Sequence, residues 1–309
     1  MTNLKKLGLT ALAGSLVATT GYAGELGVSG SAKVSYTGGD TQAVTGNPYS
    51  MSRAITFSGS GELDNGMNVA VTMVTDTGST TFSSSSVVLD MGDAGSLALL
   101  NGMNGGYGAG SVKDKMPSAG EEVYDDMSGE ANGIVAMTTS NTLAYGNTIS
   151  GVKFSVDFNA DNGNDGSSKS AALEYSPAEG LNVFIGRADI TAATNETDKH
   201  TTYGATYTTM GATVGMQLTS IADATAASDI DRTHIAASFA VNENLSVSYG
   251  MSTVEFESAS LTDQEDSGFG ASYTMGSMSF GASMLASDNV GGTSGSDDTH
   301  KELSVAFAF

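Results

Sequence analysis

The chain has no cysteine and no tryptophan, only 3 prolines, and 12 lysines and arginines against 34 aspartates and glutamates. Without cysteine there is no disulfide framework, thiolate zinc site, thiol redox centre or cysteine nucleophile. A formal charge of −22 removes nucleic-acid binding, which needs basic side chains to displace counterions from phosphates. Long hydrophobic runs are also missing. Beyond the N-terminal segment, no stretch reaches the roughly 18–20 unbroken apolar residues of a membrane helix. Glycine, by contrast, is abundant. Its 40 copies argue against a helical bundle, where each interior glycine costs about 1 kcal/mol relative to alanine. The 309 residues are 39% apolar, with 11 Phe and 11 Tyr spread along the chain. That composition argues for ordered structure, and the length suits one large all-β domain.

Residues 1–23 read as a secretory signal peptide. Lys5 and Lys6 give a positive start, Leu7 to Ala18 an apolar segment, and Gly21-Tyr22-Ala23 a small-residue cleavage site. The mature chain then begins near Gly24. An exported chain with no second apolar helix is either soluble or enters a membrane as a closed β-barrel, the only other structure that satisfies its backbone in lipid.

The rest of the sequence repeats one pattern: about ten residues alternating apolar with small or polar side chains, then a break. This predicts strands over 25–37, 51–64, 67–76, 80–91, 95–101, 141–150, 151–160, 167–176, 181–190, 200–210, 213–222, 231–241, 245–256, 265–275, 277–287 and 298–309. In 151–160, Val152, Phe154, Val156 and Phe158 share one face and Lys153, Ser155, Asp157 and Asn159 the other. In 245–256, Leu245, Val247, Tyr249 and Met251 oppose Ser246, Ser248, Gly250 and Ser252. Soluble sandwiches alternate too, but their strands average about 5–6 residues and carry Lys and Glu outside. Here the wet face is mostly Ser, Thr, Gly and Ala, which suits a lumen. By the same parity Lys33, Lys153 and Arg232 face inward. Arg53 and Arg187 share the oily parity, which requires either a place near a rim or a register-shifting bulge. Tyr36, Tyr145, Tyr175, Tyr207 and Tyr273 lie near strand ends, as in an interfacial girdle. Connections alternate between short turns, such as Asp64-Asn65-Gly66 and Gly211-Ala212, and longer acidic loops.

The opening GELGVSGSAKVSYTG, the segment SRAITFSGSGELDNGM and the closing ELSVAFAF with Phe309 resemble a general diffusion porin of the Gram-negative outer membrane, of the alphaproteobacterial type. The resemblance implies a 16-stranded antiparallel transmembrane β-barrel with a long third loop folded into the lumen. It implies a homotrimer in outer-membrane lipid and lipopolysaccharide. Phe309, Phe307, Val305 and Leu303 resemble the signal read by the barrel-insertion machinery. Residues 102–140 are the one connection long enough for the constriction loop. They carry Glu121, Glu122, Asp125, Asp126 and Glu130, preceded by Lys113 and Lys115. By resemblance these carboxylates face Lys33, Lys153 and Arg232 across the pore. The chain departs from the family in lacking a wall-arginine cluster, which implies a weaker transverse field.

Other chemistry is faint. His200, His234 and His300 fall in separate segments at no metal-ligand spacing, and scattered rim histidines are the favoured reading. No Ser–His–acid cluster stands out from the many serines, so no enzyme is expected. Asp161-Asn162-Gly163-Asn164-Asp165-Gly166 resembles half a calcium loop but lacks the downstream bidentate glutamate, so Asp161 and Asp165 read as a solvated turn. No cofactor is expected beyond Ca²⁺ bridging the acidic loops. The expected function is passive diffusion of small hydrophilic solutes and ions, with cations preferred. The alternative is an exported acidic, β-rich structural or adhesive surface protein.

Overall fold

The computed structural model describes residues 26–39, 47–78, 82–103, 106–113, 115–123, 141–161, 166–191, 196–224 and 228–309. The signal segment 1–23, and Asp125, Asp126, Glu130 and Asp165, lie outside them. Sixteen strands form. The first five are β1 (Leu26–Gly39), β2 (Tyr49–Glu62), β3 (Asn68–Asp76), β4 (Ser84–Asp90) and β5 (Ser96–Asn101). Next come β6 (Thr142–Ile149), β7 (Val152–Asn159), β8 (Ser168–Ala178), β9 (Leu181–Thr191), β10 (Thr197–Thr209) and β11 (Ala212–Ala222). The last are β12 (Ile230–Ala240), β13 (Leu245–Phe256), β14 (Gln264–Met275), β15 (Met278–Asp288) and β16 (Asp298–Ala308). Each pairs antiparallel with its sequence neighbour, and β1 pairs with β16 to close the barrel. The seam continues to the chain end: Gly30 N–H donates to Phe309 O at 2.7 Å, and Phe309 N–H to Gly30 O at 3.0 Å.

Alternation sorts the side chains as the pleat requires. Leu173, Ile185 and Phe269 are 49%, 48% and 64% exposed, while their inward neighbours Ala172 and Phe184 are each 5% exposed. The oily rows therefore point away from the barrel axis. No dry centre joins them, as a sandwich would require. Short turns of two to five residues hold one rim. Ser150 and Gly151 have φ of 52° and 82°, and Met210 and Gly211 φ of 47° and 82°, the double left-handed conformation whose twist matches a hairpin. The second turn sits one residue earlier than Gly211-Ala212, because Ala212 already pairs with Thr209. Arg53 and Arg187 point outward near the long-connection rim and are exposed. No register shift occurs in their strands beside them; the shift in β8 lies between Tyr175 and Ala178. Rim placement, not a bulge, accommodates both arginines. The three histidines are all buried on the inward face rather than exposed at the rim.

Candidate functional site: the inner wall and the segment lying on it

The inward face gathers one long stretch of the β5–β6 connection. Residues 106–113 and 115–123 touch inward side chains from β5 around to β1. Tyr107 OH lies 3.0 Å from Ser96 Oγ on β5, and the 3₁₀ turn that follows at Gly108–Ser111 sits on β7, β8 and β9. Ala109 N–H donates to Ser170 Oγ at 2.7 Å, and Ser111 Oγ lies 3.3 Å from Ser155 Oγ. Gly108 has φ +54°, and a Cβ there would collide with Asp157 and Ser170, so only glycine lets the backbone sit this close. Val112 and Met116 then pack with Ala172 and Phe184. Gln217 Nε2 donates to Lys113 O at 3.1 Å and to Thr202 Oγ1 at 2.8 Å. Farther along, Ala119 N–H donates to Ser248 Oγ at 2.8 Å. Beside it a Cβ on Gly270 would come within 2.7 Å of Ala119 O.

Two charged groups flank this path. Lys33 Nζ lies 2.8 Å from Glu121 Oε1 and 2.6 Å from Glu302 Oε1. Ser283 Oγ donates to Glu121 Oε2 at 3.4 Å. The possible ligand atoms of Glu121, His300 and Glu302 all fall within 4.8 Å of one another. In the second group the polarity reverses: Lys115 Nζ, from the segment, donates to the wall carboxylate Glu174 at 2.9 and 3.0 Å. Lys153 Nζ is 3.9 Å from Glu174, and Asn182 Nδ2 donates to it at 2.9 Å.

The structure thus joins Lys33 to Glu121. It places Lys153 beside Glu174, with no carboxylate of the segment's described residues paired to it. Arg232 is buried on the inner face, in register with Thr219 and Val254. Glu122 accepts a bond from Ser118 Oγ at 2.9 Å. Asp161 is exposed at the end of β7 and takes no part in the Glu121–His300–Glu302 group. Glu174 and Glu302 were not singled out from the sequence. Their inward parity in the middle of polar faces was the available signal.

Magnitudes decide what holds the segment. Partly exposed ion pairs contribute about 0–1 kcal/mol each, whereas full burial of a side chain such as Val112 or Met116 contributes about 1.5–3 kcal/mol. The apolar foot dominates and the ion pairs trim it. Lys33→Met is therefore expected to leave the segment seated and to cost no more than about 1 kcal/mol of stability. Limited proteolysis of the segment alongside urea titration checks this. Release of the segment in Lys33→Met would show that Lys33 is the main anchor.

A closed antiparallel barrel of sixteen strands, with short turns on one rim and long connections on the other, is the barrel of the bacterial porins. A porin refined at 1.8 Å resolution superposes with a TM-score of 0.69 at 16% identity, covering 92% of this chain and all of its own. A triple mutant of Rhodopseudomonas blastica porin gives 0.67 at 14% identity with the same coverage. No protein-family model and no curated protein matches the chain. What is common at this identity is the backbone path.

Proposed function

We propose that this protein is an outer-membrane porin, a passive water-filled channel for small hydrophilic solutes and ions that prefers cations. The observation that carries this reading is the outward face of the closed barrel. Leucine, isoleucine, valine, phenylalanine and tyrosine stand exposed there on strand after strand, an arrangement that suits lipid and would aggregate in water. The segment at 106–123, within 102–140, is the constriction in this reading and sets the size limit. The formal charge of −22 gives a negative potential that concentrates cations in the lumen. Each ion-pair group is largely neutralised internally, with only one charge left over in each, so the preference comes from overall charge rather than a steep transverse field. The function needs no cofactor and no reaction. The mature chain, cleaved near Ala23, resides in the Gram-negative outer membrane as a homotrimer, delivered through its closing strand and Phe309.

Planar-bilayer recording tests the reading. Ohmic steps in groups of three are expected, with a cation-selective reversal potential in a KCl gradient. That selectivity should fade as salt shortens the screening length from about 10 Å at 0.1 M to about 3 Å at 1 M. Anion preference would sink the selectivity claim. A chain that stays soluble without detergent and forms no channel would favour the adhesive surface protein instead.

A further inference from the structure

The chain is poor in basic residues, yet three of its 12 lysines and arginines meet on one patch of the outward face. Lys169 on β8 is in register with Asp189 on β9, which is in register with Lys199 on β10. One row nearer the middle, Arg187 stands between Ala171 and Thr201. The next row is Leu173, Ile185 and Tyr203, all about half exposed. The Lys169 and Arg187 side chains are 71% and 62% exposed. Asp189 lies between them, 3.7 Å from Lys169 Nζ and 3.8 Å from Arg187 Nε. Those distances exceed hydrogen-bond length, so the carboxylate orients the two cations without saturating their donors.

The patch is not a general property of that rim. On β12 to β15 the outward positions at the same end are carboxylates, with Asp231 opposite Glu255 and Glu265 opposite Asp288. A net positive, exposed cluster directly above an apolar row is complementary to an amphiphile with an anionic head and an oily tail. Strands lie about 4.8 Å apart, so lysines two strands apart and an arginine between them can converge on one tetrahedral anion.

We infer that the outward face of β8–β10 binds the phosphate of a lipid headgroup. Lys169, Arg187 and Lys199 hold the phosphate oxygens, and the acyl chain lies along Leu173, Ile185 and Tyr203. The inference rests on the lipid-facing reading of the outward rows. It adds a site at which the bilayer is recognised chemically rather than merely tolerated.

Native mass spectrometry of the folded full chain in mixed detergent micelles tests it, with dioleoyl phosphatidic acid and dioleoyl phosphatidylcholine as probes. The parent is expected to retain phosphatidic acid, and the K169Q/R187Q/K199Q variant to lose that retention about tenfold or more. Phosphatidylcholine retention should be unchanged. Asp189→Asn, which removes the one negative charge, should raise phosphatidic acid retention about threefold. Arg53→Gln, outward on a distant strand, should change nothing. Equal retention by the parent and the triple variant overturns the proposal. Full displacement of phosphatidic acid by millimolar inorganic phosphate assigns the site to free phosphate and overturns the lipid claim. A parent that stays soluble without detergent and retains neither lipid fails the membrane reading itself, a result distinct from lipid retention without selectivity.

Discussion

A variant lacking residues 106–123 is expected to conduct about threefold more than the parent, because channel conductance follows the narrowest cross-section. Those residues rest on inward side chains from β7 to β1, through Ser170, Gln217, Ser248 and Lys33. Removing them leaves the strand ladder untouched, since every barrel hydrogen bond runs between strands. The remaining β5–β6 connection still has ample length to join Asn101 to Thr142. Selectivity should shift as well: the deletion removes Glu121 from Lys33 and Lys115 from Glu174, leaving Lys33 with Glu302 and Glu174 with Lys153 and Asn182. Single-channel recording with uncharged polymers of graded size measures both the larger conductance and the larger size limit. An unchanged size limit would mean that the narrowest point lies elsewhere.

The second large effect concerns the outer face. Phe269→Arg should destabilise the folded barrel in phospholipid vesicles by about 2–4 kcal/mol, the cost of an arginine on the lipid face near the bilayer middle. The loss of the ring contact with Tyr249, whose centroid is 4.6 Å away, adds to it. Ser272→Arg, three residues on and of opposite parity, should cost only about 0.5 kcal/mol. Urea titration followed by circular dichroism compares the two. Equal costs, or the reverse order, would mean that the outward rows do not face lipid.

Much of the fold was legible because a strand's side chains obey a period of two whatever surrounds it. Val152, Phe154, Val156 and Phe158 announced β7 to within a residue. Legibility failed where the backbone pairs regardless of side chain. Thr197, Asp198 and Lys199 look like loop by polarity, yet their backbone pairs with Thr191, Ile190 and Asp189, so β10 starts three residues before the alternation does. The site was readable residue by residue but not as pairs. Lys33 and Glu121 were each nameable from parity and loop length. Glu302 joins them only because closure puts β16 beside β1, a long-range fact that no local pattern carries. Lys115 is similar. Within an irregular segment nothing periodic says which wall carboxylate it reaches, and Glu174 is found only once the segment is laid on β8.

The closing seam has a consequence for biogenesis. One edge of β1 finds its partner only in β16, encoded at the opposite end of the sequence. Until that final hairpin arrives, β1 offers a row of unsatisfied amides, which hydrocarbon does not tolerate and which invites pairing with other chains. No shorter cylinder is therefore a stable stopping point. A fragment ending before β16 keeps this edge open and is expected to aggregate rather than close into a smaller version of the same molecule.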